Sequence, residues 1–355
     1  MNGYGAPIYQ MRNNISSITP GNATRVNIGA VKFSEGQSAI PRDRIFMHYN
    51  YFDNTNLGAG GVNVSRFTPG FEKTFNDGNS SIQMRFPFAS TLDNDFMTNG
   101  ITNTSSVLFG DIQMVLKTVL MQRKNTLIST GLQWTLPTAD DLTFNATQGG
   151  TGVVSEFARV HTDSVHILPY ISSLYTRGDR FWVQSYLQLD FDANGNPVTL
   201  NESPFKVQGA AVLPNAPGAS QIGVWNEATY LYADMSFGYQ VYRNLAGGPT
   251  GLTTFSPMLE LHYNRSITDS DSVSKVSKGI TVAEFGRPGV NVEVVNLTIG
   301  TTFNWRDGSN VMLGYVTPIS GGSDKEFDGE LRVMLTKRFG GNNQDDITAA
   351  RNRRR

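Results

Sequence analysis

Glu330-Leu-Arg-Val-Met-Leu-Thr-Lys-Arg-Phe339 is the stretch that decides the fold. Read in twos, Leu331, Val333, Leu335 and Phe339 fall on one face, broken only by Lys337, while Glu330, Arg332, Met334, Thr336 and Arg338 fall on the other. Successive side chains of a strand point to opposite faces, so this is a β-strand with one apolar wall and one charged wall. A soluble sandwich turns the apolar wall inward. A membrane β-barrel turns it outward to lipid and keeps the charged wall in the lumen.

Upstream the same alternation recurs. Ile45, Met47, Tyr49 and Tyr51 share a face against Arg44, Phe46, His48 and Asn50. Phe181, Val183, Leu187, Leu189 and Phe191 oppose Trp182, Gln184, Tyr186, Gln188 and Asp190. Leu231, Ala233, Met235, Phe237 and Tyr239 face away from Tyr232, Asp234 and Ser236. Continued along the chain, this reading gives about twelve strands between residues 41 and 339, the even number of an up-and-down barrel. The connections keep a rhythm as well. Turns such as Asn76-Asp77-Gly78-Asn79, Arg123-Lys124-Asn125 and Arg306-Asp307-Gly308-Ser309 are short, and they alternate with long polar loops near 138–162, 193–226 and 266–289. Short turns at one end and long loops at the other are the habit of outer-membrane barrels. Phe181 and Phe191 lie far enough apart on one face to mark the two edges of a bilayer, since a tilted strand crosses it in about 9–11 residues. By the same logic Trp134 marks the outer rim, and Trp305, Tyr175 and Phe339 mark the inner one.

Composition agrees and narrows the class. Of 355 residues, 17% are charged, below the roughly 25% of ordinary globular chains. There is no cysteine, which excludes disulfides and thiolate metal sites. A net charge of −1 gives no bulk attraction to nucleic acid. No run approaches the roughly 18 apolar residues of a membrane helix. The start, Met1-Asn2-Gly3-Tyr4-Gly5, has neither a basic region nor an apolar core, so an exported protein would be a form whose signal peptide has been removed. The expected organisation is an N-terminal arm or plug over 1–40 with one short strand in 23–33, an all-β transmembrane antiparallel barrel over 41–339, and a polar tail over 340–355 ending in Arg353-Arg354-Arg355.

Arg42-Asp-Arg-Ile-Phe-Met-His-Tyr-Asn-Tyr-Phe-Asp53 resembles the first barrel strand of bacterial outer-membrane porin-like barrels, in particular barrels of planctomycete-type bacteria. The coarse strand pattern over 40–339 is similar to the wider group of uptake channels that includes aromatic-compound transporters. The resemblance implies an outer-membrane channel for small solutes. It departs at the end: such barrels usually finish on the terminal aromatic, whereas here Phe339 is followed by residues 340–355.

Strand parity places Arg44, His48, Arg85, Lys117, Asp190, Asp234, Glu260, His262 and Arg332 in the lumen as pore-lining residues. The basic members fall on the first, third, fourth and last strands, and the acidic ones on the seventh to ninth. Opposed basic and acidic arcs across a water-filled bore would set up a transverse field that disfavours apolar solutes. His161 and Asp163 lie near a rim, but one such pair is weak evidence for a barrel protease, and the histidines are read as lumen residues, not catalytic ones. Asp190-Phe-Asp-Ala-Asn-Gly-Asn196 resembles the first half of a calcium loop, but its twelfth position is Asn201 where that loop needs Glu, so a hairpin tip is the better reading. The expected function is diffusion or uptake of small solutes or ions, with outer-membrane lipid as the surroundings, room for a homo-oligomer, and no nucleic acid, cofactor, metal or enzymatic activity. The alternative is a closed structural barrel whose long external loops bind a partner or surface layer.

Overall fold

The computed structural model describes residues 8–13, 22–26, 37–55, 61–90, 95–97, 107–148, 150–209, 211–214, 218–246, 250–286, 292–320 and 327–339. Twelve strands form the barrel: β1 (Arg44–Thr55), β2 (Val62–Phe75), β3 (Ser80–Arg85), β4 (Ile112–Gln122), β5 (Thr126–Leu136), β6 (His166–Arg177), β7 (Phe181–Asp192), β8 (Tyr230–Tyr239), β9 (Leu252–Ser266), β10 (Glu293–Trp305), β11 (Ser309–Pro318) and β12 (Gly329–Arg338). Each pairs antiparallel with its neighbours, and β12 closes on β1, Arg332 opposite Asn50 and Arg338 opposite Arg44. Closure leaves the wall without a free edge, as a span in lipid requires.

The faces follow the pattern of the sequence. Ile45, Leu116, Leu132, Ile171, Leu187, Leu259, Ile299, Leu313, Leu331 and Leu335 are exposed on the outside, between 37% and 62% of their surface. A water-soluble protein does not leave a continuous apolar belt of this extent, and the polar residues between them are buried in the lumen. The fold is therefore inverted relative to a soluble domain and is a transmembrane β-barrel. Lys337, the break in the apolar face, reaches the inner rim. Its Nζ sits 2.7 Å from Asp307 Oδ2 and 3.2 Å from Ser309 Oγ, the snorkelling expected of a lysine near a membrane edge. The hydrogen bond from Lys337 holds the Asp307 carboxyl down to about 2.

Short turns gather at one end, here called inner. In the turn between β2 and β3, Asn76 and Asp77 take φ of 50° and 51° and Gly78 one of 78°. Asparagine, aspartate and glycine tolerate this left-handed region best. Between β3 and β4 the ladder breaks at Phe86-Pro87, where proline has no N–H to give. The wall then resumes as Phe88–Ser90 beside β2, with Val107–Phe109 paired to it. Val107–Phe109 and β4 are thus two pieces, separated at Gly110-Asp111.

At the outer end the long connections fold on one another. Strands 95–97, 142–147, 154–160, 196–200 and 220–225 form a five-stranded sheet. A hairpin, 272–286, packs on it, and Phe144, Phe157, Val198, Trp225, Val273 and Phe285 make a buried apolar core of their own. The N-terminal arm joins this cap: Ile8–Asn13 pairs with Asn22–Val26, and Met11–Asn13 adds to Ala283–Phe285. The strand expected over 23–33 is Asn22–Val26 in its described part; residues 27–36 and the tail 340–355 lie outside the described residues.

Candidate functional site

Alternation turns every second side chain of each barrel strand inward, so the lumen is the place where charged residues collect. Arg44, His48, Arg85, Lys117, Asp190, Asp234, Glu260, His262 and Arg332 all point inward and are no more than 8% exposed. They belong to three levels.

At the inner level the hub is Glu72 of β2. Arg44 Nε donates to Glu72 Oε2 at 2.7 Å, and Lys117 Nζ donates to Oε1 at 2.9 Å. Ser81 Oγ adds a bond of 2.7 Å, and the backbone N–H of Arg42 one of 3.2 Å. Residues 37–42, which lead into β1, lie inside the barrel at this level. Lys117 Nζ donates to the Ser38 carbonyl at 2.8 Å, Ser129 Oγ to the Ala39 carbonyl at 2.7 Å, and Gln184 Nε2 to the Gln37 carbonyl at 2.8 Å. The N–H of Ala39 returns to Gln184 Oε1 at 3.1 Å. Arg44 Nη2 also bonds Gln37 Oε1. Ala39 and Ile40 pack on inward-facing Leu127 and Leu174.

At the middle level His262 Nδ1 lies 2.6 Å from Asp234 Oδ1, and its Nε2 lies 3.1 Å from Thr298 Oγ1 and 3.4 Å from Glu260 Oε2. Ser236 Oγ donates to Glu260 at 2.9 Å, and Arg332 Nη1 stands 3.5 Å from the same carboxylate. Arg332 also holds Glu330 through two bonds, of 2.9 and 3.2 Å, and Asn50 donates to Glu330 at 2.6 Å. The order carboxylate, histidine, hydroxyl resembles an acyl-transfer relay, but Thr298 is wholly buried and does not border the cavity described below.

At the outer level His166 Nδ1 is 2.7 Å from Asp190 Oδ1, and Tyr232 donates to Asp190 Oδ2 at 3.2 Å. His166 Nε2 is 3.8 Å from Glu227. Asp111, at the rim just before β4, accepts the backbone N–H of Thr138 and of Ala139, each at 3.0 Å. Burial nevertheless pushes its carboxyl up to about 6.

The expected separation into basic and acidic arcs does not hold. Glu72 and Glu330 stand among the basic residues, and Arg332 reaches Glu260 on the supposedly opposite side. A buried cation without a counter-charge is costly, so the folded lumen brings the two signs into contact instead of leaving them across a bore. Glu72 is not among the residues expected in the lumen, although parity turns it inward, opposite the apolar Phe67, Pro69 and Phe71. One spacing was also missed: Ser164 precedes His166 by two, as a nucleophile and base on one strand face would. The structure divides the pair, for Ser164 Oγ donates to Asp192 Oδ1 at 2.6 Å while His166 turns to Asp190. His161 pairs with Asp141 at 3.0 Å and not with Asp163.

The calcium-like stretch is a hairpin tip. Asp192 Oδ1 accepts the N–H groups of Asn194 and Gly195, at 3.2 and 2.8 Å, and Asp192 Oδ2 accepts that of Glu227 at 2.8 Å. Asn194 and Asn196 direct their carbonyl oxygens at the N–H groups of Val165 and Ser164. These oxygens face backbone donors, which is the role of Asp and Asn in turns.

Between residues 37–42 and the wall formed by β7 to β12 a cavity of about 130 Å³ remains. Arg42, Arg44 and Arg338 border it at the mouth, Met258, Met312 and Met334 deeper in, and Glu260 at its floor.

No family model matches the chain, and no curated protein does. Among solved structures it is similar to an outer membrane channel from Pseudomonas putida F1, at 10% identity over 87% of this chain and 100% of that one, with a TM-score of 0.49. It is also similar to the β domain of the Bordetella autotransporter BrkA, at 9% identity over 84% and 100%, with a TM-score of 0.47. The P. putida toluene transporter TodX follows at 10% identity over 86% and 91%, with a TM-score of 0.40. At these values the likeness says nothing of solute or activity.

Proposed function

We propose that the barrel is an outer-membrane channel for small solutes, held closed in this state by residues 37–42 and by the ion pairs of the lumen. The observation that carries the reading is the polarity of the closure. Replacing buried ion pairs by apolar residues of similar size is often neutral or stabilising, so a barrel that needed only to be filled is better filled with apolar side chains. This lumen instead holds two contacting polar groups, Glu72 with Lys117, and Asp234, His262, Glu260, Arg332 and Glu330 together. Residues 37–42 are held mainly by polar contacts, with Lys117, Ser129, Gln184, Arg44 and Glu72, and by a small apolar patch. Water can replace polar contacts of this kind when a segment leaves, which it cannot do for a packed apolar core.

The test is conductance of the purified barrel in planar bilayers. Removal of residues 1–42 is expected to raise it strongly, and Ser129→Ala with Gln184→Ala to raise the frequency of openings. A folded barrel that stays silent even without residues 1–42 would refute the channel. The second reading, a structural barrel whose packed outer cap binds a partner, would then replace it, because the cap has its own apolar core.

A further inference from the structure

We infer that the lumen is polarised along its axis, basic toward the inner mouth and acidic toward the outer one, so that the open channel passes current better in one direction than in the other. The inference deepens the channel reading and rests on it for an open state.

Among the described residues, seven cationic and seven anionic side chains are buried. The signs are equal in number but not in height. Arg44 and Arg338 sit at the inner ends of β1 and β12, opposite each other, and Arg42 lies inside the barrel two residues before β1. Arg85, Lys117 and Arg332 follow, at the sixth or seventh residue from the inner ends of β3, β4 and β12. Five acids lie farther out. Glu260 and Glu330 are ninth from the inner ends of β9 and β12, and Asp190 is tenth on β7. Asp111 and Glu227 stand just beyond the outer ends of β4 and β8. The exceptions are Glu72 and Asp234 in the inner half and Arg66 in the outer half.

Pairing does not require this order. An ion pair needs only that its two signs touch, and pairs that merely filled the bore would leave each level near neutral. Here the contacts follow the gradient. Arg332 lies on the inner side of both its partners, Glu330 and Glu260, so that contact is itself a dipole of the same sense. Arg44 and Lys117 share Glu72 and leave an excess of cation there. Loss of residues 37–42 would take away only Arg42 among these charges, so the sorting outlasts the opening. At about 0.1 M salt a fixed charge acts over about 10 Å, which is comparable with the lumen of a barrel between the filled eight-stranded and the open sixteen-stranded sizes. Mobile anions therefore gather in the inner zone and cations in the outer one. With the inner side negative, anions enter from the inner mouth and cations from the outer, and both accumulate where the zones meet. Current is then large. The opposite voltage empties that boundary, and current is small.

Single openings of the full-length barrel in planar bilayers, unaltered or with Ser129→Ala and Gln184→Ala, test this at equal and opposite voltages. The two currents are expected to differ by about twofold or more at roughly 0.1 M salt and to converge at roughly 1 M, where the Debye length falls to about 3 Å. Arg338→Gln and Glu227→Gln are each expected to lower the asymmetry. They are expected to move the reversal potential in a salt gradient in opposite senses, the first toward cations and the second toward anions. A straight current–voltage relation at low salt, an asymmetry that persists at high salt, or variants that leave it unchanged would overturn the inference and keep the channel. If neither variant folds, the salt dependence of the unaltered barrel decides. A barrel that never conducts, even without residues 1–42, would refute the channel and the inference with it.

Discussion

Arg332 on β12 sets its guanidinium Nη1 3.5 Å from Glu260 Oε2 on β9, while its Nε donates to Glu330 on its own strand at 2.9 Å. Strands β10 and β11 lie between the two, so the contact is a chord across the curve of the wall and not a neighbour pair. It braces one side of the lumen. Removing one partner of a buried pair leaves the other without compensation, at a cost of about 3–5 kcal/mol. Arg332→Met is therefore expected to destabilise the barrel by that amount, and Arg332→Met with Glu330→Gln by less. Unfolding of both variants in urea, followed by the gel mobility of the folded form, gives the comparison; equal losses would mean that Glu330 does not depend on Arg332.

The lipid wall offers a paired test on neighbouring residues. Leu187 is 48% exposed on the outside of β7, and Gln188 is buried in the lumen. Leu187→Arg is expected to cost about 2–4 kcal/mol in the bilayer. Gln188→Arg is expected to be tolerated better, because it faces other polar groups. Folding yields into lipid vesicles measure both, and similar yields would mean that the outward face does not meet lipid.

Orientation is testable without any functional assay. Single cysteines at Glu202 and Lys278, in the outer connections, are expected to react with an impermeant reagent on intact cells. Cysteines at Lys124 and Asp77, in the inner turns, are expected to react only after the cells are opened. The opposite pattern would invert the barrel.

Asp111 gives a pH dependence of definite sign. Its carboxyl is raised from the ordinary range to about 6 by burial, so the folded protein binds a proton more tightly there than the unfolded chain. Stability from this group is present below pH 4 and falls as pH rises through 6, by on the order of 2–3 kcal/mol. Asp111→Asn keeps a carbonyl oxygen for Thr138 and Ala139 and cannot ionise. Its stability is expected to decline less than that of the unaltered protein between pH 4 and 7, measured by unfolding at each pH. Parallel curves would mean that Asp111 is ionised throughout at no cost.

Much of this was legible in the chain. Alternation in Glu330–Phe339 and its counterparts determined the strands, the two faces and the closed barrel, because the period of two is a property of each strand alone. The same parity placed Arg44, Lys117, Asp234 and Glu260 inward. Parity also turns the apolar Leu127, Leu174, Met258, Met312 and Met334 inward, and they mark where residues 37–42 and the cavity lie. Which charges touch was decided only by tertiary structure. Arg332 meets Glu260 through the curvature and stagger of the closed wall, and Glu72 draws Arg44 and Lys117 together from strands on either side. Residues 37–42 carry no periodicity, and their position is set by the hydrogen bonds that Lys117, Ser129 and Gln184 offer from three separate strands. Alternation tells a side chain which face it is on. It carries no information about what stands across the lumen, since that depends on strands distant in sequence brought near by closure.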